Sequence, residues 1–97
     1  MTPEGRVKEI VRKLLKKHGC YWHMPVQNGM GAPSLDFICC LNGHYFAIET
    51  KAGNKRPTPR QERTIGEIQR AGGRCFVVNE VEGLDALEAW LKETGGN

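Results

Sequence analysis

Asp36, Glu49 and Lys51 are the residues of this chain whose types and spacing suit chemistry. They bracket a stretch centred on Asn42-Gly43, the strongest short-range signal for a type I′ hairpin turn. With those two residues as the loop, Leu41 faces His44, Cys40 faces Tyr45, Ile38 faces Ala47 and Asp36 faces Glu49. Side chains alternate along a strand, so Glu49 and Lys51 share a face, and Asp36 lies on it too. Opposed residues have Cβ atoms roughly 5 Å apart, and like charges placed so repel. A divalent cation between the carboxylates is the simplest compensation, with the Lys51 ammonium beside it. Mg²⁺ or Mn²⁺ suits such oxygen ligands, and Mg²⁺ binds through one or two carboxylates, several waters and a substrate phosphate. The metal would polarise a phosphoryl oxygen and acidify a bound water. Lysine would orient that water or neutralise charge on the phosphorane. The bland alternative is a surface hairpin with a Glu49–Lys51 ion pair. The Asn-Gly register and the apolar flanks Phe37, Phe46 and Ile48 favour the site. Thr50 points to the other face. Its backbone carbonyl can still ligate the metal, while its hydroxyl reads as structural.

These groups need a scaffold, and the pattern around them predicts helix, three strands, helix, strand, helix. Thr2-Pro3 supplies an N-cap and a first-turn proline. Val7, Ile10, Val11, Leu14 and Leu15 then mark one buried helical face, ended by His18-Gly19. Tyr21 to Val26 reads as a first strand, followed by a turn over Gln27 to Gly31. The hairpin gives two more strands. Thr58 to Ala71 reads as a helix opened by a Thr58/Gln61 capping box and stopped by Gly72-Gly73. Cys75 to Val78 is a short buried strand, and Leu84, Leu87 and Leu91 pattern a last helix. The implied fold class is α/β, with order α-β-β-β-α-β-α and a mixed sheet flanked by helices. The length of 97 residues suits one domain with one modest core.

Other residues carry two readings each. Glu4 extends the apolar stripe of the first helix, so it is either a first-turn acid favoured by the helix dipole or a carboxylate aimed into the site. Lys55, Arg56, Arg60 and Arg63 follow the Glu49–Lys51 strand and suit contacts to a phosphate backbone, which position without reading sequence. Lys8, Arg12, Lys13, Lys16 and Lys17 read as a solvated helix face. The formal charge of +3 does not by itself indicate nucleic acid. Cys20, Cys39, Cys40 and Cys75 contain no Cys-x-x-Cys pair and read as reduced, small apolar packers. His18, Cys20 and His23 invite a zinc reading, but the spacing fits no common zinc pattern. Tyr21, Trp22 and Trp90 suit a core or a subunit interface. No apolar run is long enough to span a bilayer and the N-terminus does not read as a secretory leader, which gives an intracellular, cytoplasmic expectation.

The chain also resembles a known family. Asp36 with Glu49-Thr50-Lys51 is similar to the PD-(D/E)xK nuclease signature, and the wider pattern resembles the VRR-NUC branch in its small stand-alone form, found in phages and bacteria. Glu4, Gly31 ahead of Asp36, Ile48 to Gly53, Pro57-Thr58-Pro59-Arg60-Gln61, and Ala71 to Val78 carry that resemblance, which covers nearly the whole chain. Leu35, not proline, precedes Asp36, with Pro33 three residues before it. The resemblance implies a restriction-endonuclease-like core. It places Glu4 near the metal, through water, and turns Gln61 toward the site, a role that competes with closing the capping box for one side chain. It further implies a homodimer that resolves Holliday junctions, with a general nicking or flap endonuclease as the alternative, acting on branched or duplex DNA. A non-catalytic DNA-binding module on a nuclease-like fold is the competing class.

Overall fold

The computed structural model describes residues 1–26 and 31–95. The elements are α1 (Pro3–Lys17), β1 (Tyr21–His23), β2 (Phe37–Leu41), β3 (His44–Thr50), α2 (Pro59–Arg70), β4 (Arg74–Val78) and α3 (Leu84–Thr94). This is the expected α/β order. The first strand is shorter than expected, ending at His23 rather than Val26, and of the expected turn over Gln27 to Gly31 all but Gly31 lies outside the described residues. Among the described residues, no helix is long and apolar enough to cross a membrane.

The four strands lie in the order β1-β2-β3-β4. β1, β2 and β3 are antiparallel neighbours, whereas β4 runs parallel to β3. A parallel return needs a crossover, and α2 supplies it. Asn42 (φ 52°) and Gly43 (φ 83°) adopt the left-handed conformation of the two-residue turn. The hairpin register follows: Leu41 pairs with His44, Cys40 with Tyr45 and Ile38 with Ala47. β3, which carries Glu49, is therefore central and laddered on both sides.

The two sheet faces are covered differently. Phe46, Ile48 and Thr50 alternate with Ala47 and Glu49, and all five are buried. The Trp90 ring of α3 lies 4.8 Å from Phe46 and 5.5 Å from Phe76, centroid to centroid. α1 joins the same cluster through Val7, Val11 and Leu15, all fully buried. Burying such side chains contributes about 1.5–3 kcal/mol each. Glu88 of α3 receives Lys17 at 2.9 Å and His18 at 3.3 Å, which ties the end of α1 to α3. The second face receives α2, whose Gln61 reaches Glu49 and whose Ile65 carbonyl meets the Cys75 thiol.

Periodicity misplaced a few side chains. Ile10 is 45 % exposed although it shares the apolar stripe, because the contact surface under α1 is only as wide as the Val7–Val11–Leu15 row. Cys40 is exposed and Cys75 half-buried, so only Cys20 and Cys39 are buried packers. Cys40 alternates with Cys39 on β2 and falls on the uncovered side. Tyr21 is exposed, whereas Trp22 and Trp90 pack against the core.

Candidate active site

The site forms where β2 begins and β3 ends. Residue 36 lies one step before the first ladder pair, Phe37 with Ile48, so its backbone stands across from Glu49. The Asp36 amide donates to Glu49 Oε1 at 3.3 Å. The Asp36 carboxylate turns toward Thr50 instead: Oδ2 accepts from the Thr50 amide at 2.9 Å and from its hydroxyl at 2.8 Å. Thr50 thus does more than the sequence suggested. Its hydroxyl fixes a site carboxylate, because Asp36 precedes the regular ladder and its side chain can cross between faces.

Glu49 is almost wholly buried, at 2 % exposure. Its Oε2 accepts from Gln61 Nε2 at 2.8 Å, and the Lys51 ammonium lies 3.3 Å from the same oxygen. Burial and then the nearby Asp36 charge push the Glu49 carboxyl up to about 7, against the opposing pull of Lys51. A charge held this far from its ordinary range marks a functional-site candidate.

Gln61 performs both tasks that seemed exclusive. Its Oε1 accepts from the Thr58 amide at 2.9 Å, completing the capping box, while its Nε2 donates to Glu49. An amide carries an acceptor and two donors at its end, so cap and site use different atoms. The first turn of α2 is thereby locked to the carboxylate it serves.

Glu4 sits in the first turn of α1, and its Oε2 lies 3.4 Å from the Lys8 ammonium. The same ammonium is 3.9 Å from Asp36 Oδ1. Glu4 is therefore linked to the site through Lys8. Sequence reasoning placed Lys8 on a solvated face and missed this position. The i, i+4 spacing of Glu4 and Lys8 was a readable signal for their pairing, but nothing local showed that Asp36 approaches this edge of α1.

Lys55 and Arg56 lie exposed in the loop after β3, and Arg60 and Arg63 lie exposed on α2. Arg60 and Arg63 line a groove of about 210 Å³ with Pro33, Thr64, Glu67 and Arg70. Among the described residues, none of these three arginines has a carboxylate within ion-pair distance. The zinc set does not assemble: His18 is turned to Glu88, and Cys20 is buried.

A hard divalent cation fits the donors present. Asp36 and Glu49 offer oxygens only, and among the described residues Asp36 Oδ1 accepts no hydrogen bond. Positive charge here would relieve the burden that raises Glu49. Among the described residues, no group of three or more His, Cys, Asp and Glu side chains stands ready to hold a metal by itself. The arrangement therefore suits an ion such as Mg²⁺, which completes its shell with water and phosphate oxygen.

A mixed four-stranded sheet with helices on both faces defines an α/β fold, and a carboxylate–lysine cluster stands at the end of its central strand. A solved structure described as "VRR_NUC domain" superposes with a TM-score of 0.72 at 22 % identity, over 96 % of this chain and 94 % of that one. The chain thus has the fold of a VRR-NUC domain. No protein-family model and no curated protein matches the sequence.

Proposed function

We propose that this protein is a Mg²⁺- or Mn²⁺-dependent endodeoxyribonuclease that hydrolyses phosphodiesters in branched DNA, acting as a homodimer on four-way junctions. The observation that carries the catalytic reading is the convergence of Asp36, Glu49, Lys51 and Gln61 within direct hydrogen-bond or ion-pair contact. The likeness of fold to a VRR-NUC domain supports it. The junction preference and the dimer rest on the resemblance in sequence. An isologous pair of sites would give paired nicks.

Asp36 and Glu49, with the Thr50 carbonyl, would hold the metal, which when bound supplies Lewis-acid polarisation and an acidified water. The Thr50 hydroxyl and amide fix the Asp36 carboxylate through Oδ2, and Oδ1 faces Lys8. Gln61 holds Glu49 through one amide hydrogen. Lys51, 13 % exposed at its side chain, orients the attacking water or neutralises charge growing on the phosphoryl oxygens. Glu4 adds a carboxylate at the edge of the site. Lys55, Arg56, Arg60 and Arg63 position the DNA backbone, with Arg70 extending the same groove.

Labelled four-way junction, flap, splayed arm and plain duplex test the proposal, each with Mg²⁺ or Mn²⁺. Paired nicks on the junction are expected, with losses of about 100-fold or more in both Asp36→Asn and Lys51→Ala, on the scale of removing one transition-state donor. DNA binding without metal-dependent cleavage of any substrate would point instead to a binding module. Undiminished cleavage by Lys51→Ala would refute the assigned chemistry.

A further inference from the structure

The acidic group of the site already contains a cation of its own. Asp36 Oδ2 is committed to Thr50, and both oxygens of Glu49 accept bonds. Among the described residues the oxygen left over is Asp36 Oδ1, and the Lys8 ammonium faces it at 3.9 Å. The same ammonium reaches Glu4 Oε2 at 3.4 Å. Its side chain is 28 % exposed. The three carboxylates therefore gather around two lysines, Lys8 on the α1 side and Lys51 on the β3 side.

We propose that Lys8 is an internal counter-ion that occupies the seat between Glu4 and Asp36 in the metal-free protein, and that a divalent cation displaces it on binding. The inference rests on reading Asp36 and Glu49 as the metal site. Lysine is suited to this duty: a compact point charge on a flexible four-carbon stem can withdraw, whereas the planar fork of arginine would grip a carboxylate at two points. A singly charged ammonium near 4 Å also yields to a doubly charged ion that can approach carboxylate oxygens far more closely. Once displaced, Lys8 remains at the rim of the site, where the incoming phosphate must pass. Metal loading would thus turn Lys8 from a partner of carboxylates into a partner of substrate. Cation entry would precede a full grip on DNA.

The test measures Mn²⁺ affinity by electron paramagnetic resonance, with thermal unfolding in chelator, for the intact chain and its variants. Lys8→Gln should bind Mn²⁺ at least fivefold more tightly. It should unfold at a lower temperature in chelator, with the difference closing at saturating Mn²⁺. Lys8→Arg should bind no more tightly than the parent protein. Lys13→Gln, a charge removed from an exposed position of the same helix, should stay within twofold. Equal or weaker Mn²⁺ binding by Lys8→Gln, with binding abolished in Asp36→Asn, would overturn the role of Lys8 and leave the metal site standing. Tightening by Lys13→Gln to the same degree would also overturn it, by showing a general charge effect. Unchanged Mn²⁺ binding in Asp36→Asn would overturn both readings.

Discussion

Replacing Glu49 with glutamine should stabilise the metal-free protein at pH 8 while removing its cation site. The side chain is almost fully buried, and its carboxyl is raised from 4.5 to about 7. The sign is opposite to that of a salt-bridged carboxylate. Between about pH 4.5 and 7 the folded chain holds a proton that the unfolded chain has released, so stability falls as pH rises through this window. At about 1.4 kcal/mol per pH unit, the full cost above pH 7 is on the order of 3 kcal/mol. Glutamine carries no charge and avoids that cost. It also turns one amide donor toward groups that donate, since either carboxylate oxygen it could replace accepts: Oε1 from the Asp36 amide, Oε2 from Gln61 with Lys51 beside it. An unsatisfied buried donor costs about 1–3 kcal/mol. The expected net effect at pH 8 is a gain of about 1 kcal/mol, or roughly 4–8 °C in unfolding temperature for a domain of this size. Thermal unfolding in chelator between pH 4 and 9 checks it. The parent protein should lose stability from pH 4.5 to 7 relative to the variant, and the variant should have the advantage only on the alkaline side. A variant that tracks the parent at a constant offset across the range would refute the charge-burial reasoning.

Thr58→Ala should cost about 1 kcal/mol of stability through loss of the cap, and should lower cleavage as well, because Gln61 is held by the same box that aims it at Glu49; chemical denaturation and single-turnover cleavage read the two effects. Arg63→Gln and Arg70→Gln should each lower the slope of log affinity against log salt by about one, with little change in sequence preference, measured by fluorescence anisotropy with the Asp36→Asn protein as the inactive background. Gly83→Ala should destabilise by about 2 kcal/mol or more in a melt, because its φ of 92° is left-handed and a Cβ would stand 2.5 Å from the Val77 carbonyl oxygen.

Features set by local rules were readable from sequence. Asn42-Gly43 fixed the turn, and the turn fixed the pairing down to Phe37 opposite Ile48. Thr2 and Thr58 announced two helix starts, both of which carry the expected side-chain caps. That register put Glu49 and Lys51 on one face, where they pair, and Asp36 across from Glu49, although its carboxylate turns to Thr50. Features set by tertiary contact were not readable. A helical wheel places Lys8 on a polar face but does not say that Asp36 lies against that face. Alternation sends Thr50 away from Glu49, yet Asp36, just outside the ladder, reaches across to its hydroxyl. Treating Gln61 as one group with one duty hid the separate use of its oxygen and nitrogen. Ile10 shows the reverse error, an apolar residue on the right stripe with nothing to cover it.

The short segment after β3 is fastened at both ends. The Gly53 amide donates to Glu80 Oε1 at 2.6 Å, and its carbonyl accepts from Asn79 Nδ2 at 3.3 Å. The Lys55 amide donates to the Ala52 carbonyl, and the Thr58 amide to Gln61. Between those anchors Asn54, Arg56 and Pro57 are left to move, and proline fixes its own φ. Ordering backbone costs about 1–2 kcal/mol per residue when a loop closes on a ligand, and here most of that entropy is already lost in the free protein. Lys55 and Arg56 are thus presented on a stiff bracket. Under the proposed function, a DNA strand held by these two side chains would be confined to an arc set by their lengths and would approach from the β3–α2 side.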